Sequence, residues 1–140
     1  MKRTDFSVDW LFAACAPDTE LLPWNAQFTP VDLPHDWQIR HADDLYRDGT
    51  LFYRKYFFVT DVSGTRRMLW FGGAYMDTTV FVNGTEVGQW KYGYTSFWFD
   101  ITDALHEGQN EVLVRCNLRH PNSRWYSGAG LYRNVELWEA

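Results

Sequence analysis

An amide, a guanidinium and two large aromatic rings stand close together at Asn122, Arg124, Trp125 and Tyr126. That set suits a sugar, which offers an apolar C–H face to a flat ring and hydroxyl edges to planar donors and acceptors. Arg124 supplies a rigid fork of donors, and Asn122 supplies both a donor and an acceptor. Asp36 and Asp48 add carboxylates able to accept from hydroxyls. The same segment continues into Gly128-Ala129-Gly130, which reads as a flexible hinge leading into an apolar terminal strand over residues 131–138. A loop hung on a strand end is a common place for binding chemistry. The plainer alternative is a surface loop whose aromatics fold back into the core.

Catalytic groups are harder to assemble. Ser127 lies in no GxSxG elbow, because Trp125 stands two positions before it. Asp43 and Asp44 are adjacent, so on an extended chain they point to opposite faces. His35-Asp36 has no nucleophile in view. The four His form no HExxH or paired spacing, and Cys15 and Cys116 belong to no CxxC. No catalytic residue, metal or cofactor is therefore expected in this chain. Two buried thiols are the default reading of the cysteines, with a disulfide left open.

The elements that must position the loop are strands. Residues 51–60, 66–73, 78–82, 85–90, 95–101, 110–118 and 131–138 alternate or run apolar, and turn residues separate them. Asn83-Gly84 between two such runs predicts a tight hairpin. It also begins a glycosylation sequon with Thr85, for which the hairpin turn is the preferred explanation. Residues 6–13 read as a further strand, residues 103–107 as the one helical turn, and the Pro-punctuated stretch up to residue 50 as a wrap over the sandwich or part of a binding surface. The pattern predicts a single all-β domain, a sandwich or jelly roll. An aromatic share of 19% fits strands as well as ligand stacking, and Trp37, Trp70, Trp90, Trp98 and Trp138 are assigned to core packing because they fall in or beside strands. A net charge of −5 with scattered Lys and Arg argues against nucleic acid. No signal-peptide core or membrane-length apolar run is present, which gives the expectation of a soluble, cytoplasmic protein with no membrane partner.

Six motifs then recur in a known order: Leu33-Pro34-His35-Asp36-Trp37, Tyr53-Arg54-Lys55, Phe71-Gly72-Gly73-Ala74-Tyr75-Met76, Val82-Asn83-Gly84, Gly93-Tyr94-Thr95-Ser96-Phe97, and the segment from Asn122 to Arg133. Together they resemble the N-terminal sugar-binding domain of glycoside hydrolase family 2, the β-galactosidase-like family. The resemblance implies a jelly-roll β-sandwich of the galactose-binding-domain type, spanning residues 1–140. It implies a larger parent, in which an immunoglobulin-like domain and a TIM barrel follow and both catalytic Glu residues lie in the barrel. Its first domain reaches the active-site mouth with loops. On the matching segments the substrate-binding role passes to Asn122, Arg124 and Trp125, with Asp48 a weaker candidate. Asn122-Ser123 stands where some β-galactosidases carry an Asp before the Trp, so no cation site is carried over.

The resemblance thus implies a non-catalytic domain of a retaining β-glycosidase, with a terminal β-galactoside as the carbohydrate partner. β-Glucuronidases and β-mannosidases share the domain, and the form of residues 122–133 resembles the galactosidase branch most. Two alternatives stand beside this reading. One is a free-standing carbohydrate-binding module. The other is a structural domain that supports the barrel or a homo-oligomeric parent and touches no sugar.

Overall fold

The computed structural model describes residues 1–35, 49–74, 77–91, 95–118, 130–131 and 133–140. Among them the period-two patterning produces ten strands: β1 (Lys2–Asp5), β2 (Trp10–Cys15), β3 (Thr29–Val31), β4 (Gly49–Val59), β5 (Arg67–Phe71), β6 (Thr78–Val82), β7 (Thr85–Trp90), β8 (Phe97–Asp100), β9 (Gly108–Leu118) and β10 (Val135–Glu139). Every pairing is antiparallel. One sheet has the order β1-β10-β5-β8 and the other β3-β2-β4-β9-β6-β7. The fold is the expected all-β jelly-roll sandwich.

Side chains that alternate inward fill the space between the sheets. Leu51, Tyr53, Val80, Val82, Val112, Val114 and Cys116 from the six-stranded sheet meet Leu69, Phe71, Phe97, Val135 and Leu137 from the four-stranded one, all buried. Burying each large apolar side chain contributes roughly 1.5–3 kcal/mol. Trp10 is fully enclosed, and its indole N–H donates to the Phe6 carbonyl at 2.7 Å, so no polar atom is stranded there.

The Asn83-Gly84 hairpin forms as expected between β6 and β7. Both residues have positive φ, 50° and 82°, as a tight two-residue turn requires. The Asn83 amide is committed within the fold: Nδ2 donates to the Ala104 carbonyl and to Asn110 Oδ1, each at 2.8 Å, while Oδ1 accepts from the Glu111 N–H at 2.9 Å. That use of the amide favours the turn over the sequon.

Four expectations are corrected in detail. Residues 6–13 do not form one strand. The chain leaves β1, crosses between the sheets through Phe6 to Asp9, and starts β2 at Trp10. Ser7 secures the crossing, its hydroxyl donating to the Val135 carbonyl and accepting from the Val135 N–H. Strand β3, not anticipated because of Pro30, lies at a sheet edge, where a missing N–H is tolerated. The terminal strand begins at Val135, since the carbonyl of Leu131 is already taken by the N–H of His35. The helical turn is a short 3-10 segment at Thr102–Ala104.

The tryptophan assignment also changes. Trp90 packs against the core, but Trp70, Trp98 and Trp138 occupy the outer face of the four-stranded sheet. Strand alternation explains this, because Leu69, Phe71, Phe97 and Leu137 hold the inward positions beside them. Trp37 lies outside the described residues. The wrap is seen over residues 16–28 of the six-stranded sheet: the Arg54 guanidinium sits 4.2 Å from the Phe28 ring centroid, and Arg115 donates to the Glu20 carbonyl.

Candidate functional site

The strand ends gather at one pole of the sandwich. In the six-stranded sheet, Gly49 at the start of β4 pairs with Leu118 at the end of β9, and Thr78 at the start of β6 pairs with both Cys116 and Trp90. In the four-stranded sheet, Phe71 at the end of β5 pairs with Val135 and Phe97, the first residues of β10 and β8. Trp90 stacks on Phe97 with centroids 5.7 Å apart, which puts these ends of the two sheets together. Three connections, residues 72–77, 91–96 and 119–134, therefore leave from and return to this pole, and residues 32–48 return to it at Gly49.

Asp48, Asn122, Arg124 and Trp125, the expected substrate-contacting residues, lie on two of those connections and outside the described residues, as do Asp36 and Tyr126. What is described is the frame that carries them. Residues 36–48 leave from His35 and return at Gly49; residues 119–129 leave from Leu118 and return at Gly130. Their far ends are neighbours through the Gly49–Leu118 register. Their near ends are joined by the His35 N–H donating to the Leu131 carbonyl at 2.8 Å.

A buried clasp reinforces that joint. The His35 ring, only 5% exposed, shares a 2.7 Å hydrogen bond between its Nδ1 and the hydroxyl of the fully buried Tyr53, the tautomer deciding which atom donates. Phe12 packs against both rings, with centroids 4.5 Å from His35 and 5.0 Å from Tyr53. Gly130 closes over the same hydroxyl with φ of +86°, and a Cβ there would stand 2.1 Å from the Tyr53 oxygen. Gly130 is thus a fixed close-contact residue, where the sequence suggested a flexible hinge.

In the sequence His35 stands beside Asp36 and Tyr53 opens a separate motif, and nothing there pairs the two. The 18-residue separation carries no periodic signal; the two meet because β2 and β4 pair and Phe12 fills the gap. The cysteines are both free. Cys15 is paired with Thr50, which opposes Asn117, so Cys15 and Cys116 belong to opposite faces of one sheet. Burial pushes the Cys116 thiol up to about 12 and raises that of half-buried Cys15. Among the described residues no group of three His, Cys, Asp or Glu side chains is gathered to hold a metal, and no helix is long and apolar enough to cross a membrane.

Comparison with known proteins gives this frame a family. The profile of the sugar-binding domain of family 2 glycosyl hydrolases matches residues 23–140. The β-galactosidase BoGH2A of Bacteroides ovatus is 38% identical over 97% of this chain and 18% of its own length. A putative β-glucuronidase of Formosa agariphila is 36% identical over 98% of this chain and 15% of its own. The crystal structure of a family 2 glycosyl hydrolase from Bacteroides cellulosilyticus superimposes with a TM-score of 0.84 at 31% identity, covering all of this chain and 21% of that one. The chain spans about a fifth or less of the length of these relatives. It belongs to the sugar-binding N-terminal domains of glycosyl hydrolase family 2.

Proposed function

We propose that this chain is the non-catalytic N-terminal domain of a retaining β-glycosidase, most like a β-galactosidase. Its loops over residues 36–48 and 119–129 form one wall of the substrate pocket. The observation that carries the reading is the joining of the two loops at both ends, by the Gly49–Leu118 register and by the His35–Leu131 hydrogen bond. One frame therefore delivers the segments bearing Asp48, Asn122, Arg124 and Trp125. Arg124 and Asn122 would bond sugar hydroxyls, Trp125 would stack on the C–H face, and Asp48 would accept from a further hydroxyl. Acid, base and nucleophile belong to the remainder of the parent, in keeping with the small fraction of each relative that this chain covers.

The test is kinetic and uses the full-length parent. Arg124→Ala and Trp125→Ala should each lower kcat/KM for a nitrophenyl β-galactoside by about tenfold to a hundredfold, the loss of one or two good contacts. Unchanged KM and kcat in both variants would replace this reading with the structural one. Assaying the parent on the nitrophenyl β-glucuronide in parallel decides the sugar: a higher kcat/KM there would move the assignment to the glucuronidase branch.

A further inference from the structure

The four-stranded sheet turns a tryptophan ladder outward. The Arg3 guanidinium lies 4.5 Å from the Trp138 ring centroid, and Trp138 stacks on Trp70 with centroids 6.0 Å apart and planes within 9°. Trp98, the register partner of Trp70, is 55% exposed. Beside this ladder, at its loop end, a cleft of about 640 Å³ opens to solvent, lined by Trp70, Gly72, Ser96, Arg133, Asn134 and Glu136 among others. That volume falls within the roughly 300–1,000 Å³ of small-molecule sites.

The cleft is built. Glu136 is held in place because its Oε1 accepts from the Trp138 indole at 2.8 Å, while no described residue donates to its Oε2. Gly72 donates its N–H to the Asn134 carbonyl at 2.9 Å, and a Cβ there would meet the Trp70 ring at 3.3 Å and that carbonyl at 3.1 Å. Any side chain at residue 72 would push into the cleft wall. The Asn134 amide and the Ser96 hydroxyl, both exposed, take no bond from the described residues.

A rigid indole wall beside a fixed carboxylate oxygen, an amide and a hydroxyl calls for a ligand with an apolar face and a rim of neutral donors and acceptors. Arg133 and Glu136 both line the cleft, so the wall carries no net positive charge to draw a phosphate or nucleotide, and the chain's net charge of −5 further disfavours one. An aliphatic ligand would leave the polar groups without partners. We propose that this cleft is a second carbohydrate site, one that takes a neutral pyranose unit with its C–H face on Trp70 and a hydroxyl on Glu136. It lies on the outer sheet face, so it holds a sugar without presenting it to the parent's chemistry.

The experiment titrates the isotope-labelled chain with methyl β-galactoside, methyl β-glucoside and glucuronate and follows the indole N–H resonances. The Trp70 signal should shift and saturate in the millimolar range with a neutral glycoside, and no more strongly with glucuronate, because Arg133 and Glu136 offset one another in the lining. Asn134→Ala, a change at an exposed position, should weaken binding several-fold. Glu136→Gln and Trp70→Ala should weaken it by about tenfold or more, the loss of a charged acceptor and of the stacking ring. A Trp70 signal that never moves, or an affinity that none of the three substitutions alters, would overturn the proposal. So would burial of the cleft under another domain in the structure of the parent.

Discussion

The hydroxyl of Tyr53 sits between the His35 ring, 2.7 Å from its Nδ1, and the backbone of Gly130, with no space there for even one added carbon. Tyr53 comes from the middle of β4, and the other two residues are the attachment points of the loops that the proposed function uses. The geometry makes a strand residue the gauge that sets how close these two attachment points lie.

Gly130→Ala should cost about 2–4 kcal/mol, from the left-handed backbone and the clash with the hydroxyl. Tyr53→Phe alone should cost about 1–2 kcal/mol for the lost buried hydrogen bond. In the Tyr53→Phe background the new Cβ meets ring carbon at 3.0 Å in place of oxygen at 2.1 Å. The two changes should then couple, the double variant being at least about 0.5 kcal/mol more stable than the sum of the singles predicts. Denaturant melts of the four proteins check this, and strict additivity would remove Tyr53 as the gauge.

Asn83 should be the most sensitive residue of the β6–β7 turn. Asn83→Asp keeps a side chain able to adopt positive φ, yet it sets a carboxylate oxygen against Asn110 Oδ1, where an N–H donated at 2.8 Å. A loss of about 2–3 kcal/mol is expected, approaching that of Asn83→Ala, because Asn110 is buried and its oxygen loses one of its donors. Thermal unfolding of the two variants provides the measurement. An Asn83→Asp protein as stable as the parent chain would mean that the amide network contributes little.

The cysteines give a pH prediction with a definite sign. Cys116 titrates at about 12 when folded, against an ordinary thiol near 9 when unfolded. A raised folded value contributes stability that is fully present below pH 9 and is lost as pH rises through 12. Stability should therefore fall on the alkaline side over that interval, and Cys116→Ala should flatten the slope there. At pH 8 an alkylating reagent should reach Cys15 slowly and Cys116 only after unfolding. Peptide mapping after timed labelling reads both rates, and early modification of Cys116 would contradict its burial.

Much of the scaffold was legible because alternation is local. β6, β7 and their Asn-Gly turn could be placed to the residue, as each strand carries its own period and the turn its own chemistry. The break at Ser7 was not, since it depends on Val135, which is 128 positions away. Trp70 and Trp98 fall in strand patterns, the ground for assigning them inward; the face they occupy is fixed by Phe71 and Phe97, their neighbours in the alternation. The expectation of sugar contacts at residues 122–126 rests on side-chain types alone, and these residues lie outside the described ones. The His35–Tyr53–Gly130 clasp joins three distant stretches of chain and becomes visible only once β4 is in register.

Arg67 and Glu139 close the end of the four-stranded sheet opposite the loops. They are register partners on β5 and β10, with the guanidinium Nε donating to Glu139 Oε2 at 2.9 Å and Nη2 donating to the Asp61 carbonyl at 3.1 Å. Arg67 is only 8% exposed, so its charge is largely out of water and depends on that carboxylate. Glu139→Ala should therefore cost about 2–3 kcal/mol, less than a fully enclosed pair would because Glu139 keeps some solvent. Replacing both, as Arg67→Met with Glu139→Leu, removes the charges together and fills the space with apolar atoms. That double variant should recover most of the loss, within about 1 kcal/mol of the original chain. If it proves as unstable as Glu139→Ala, the pair stabilises this edge through its hydrogen bonds to Asp61 and to the strand, rather than by cancelling a buried charge.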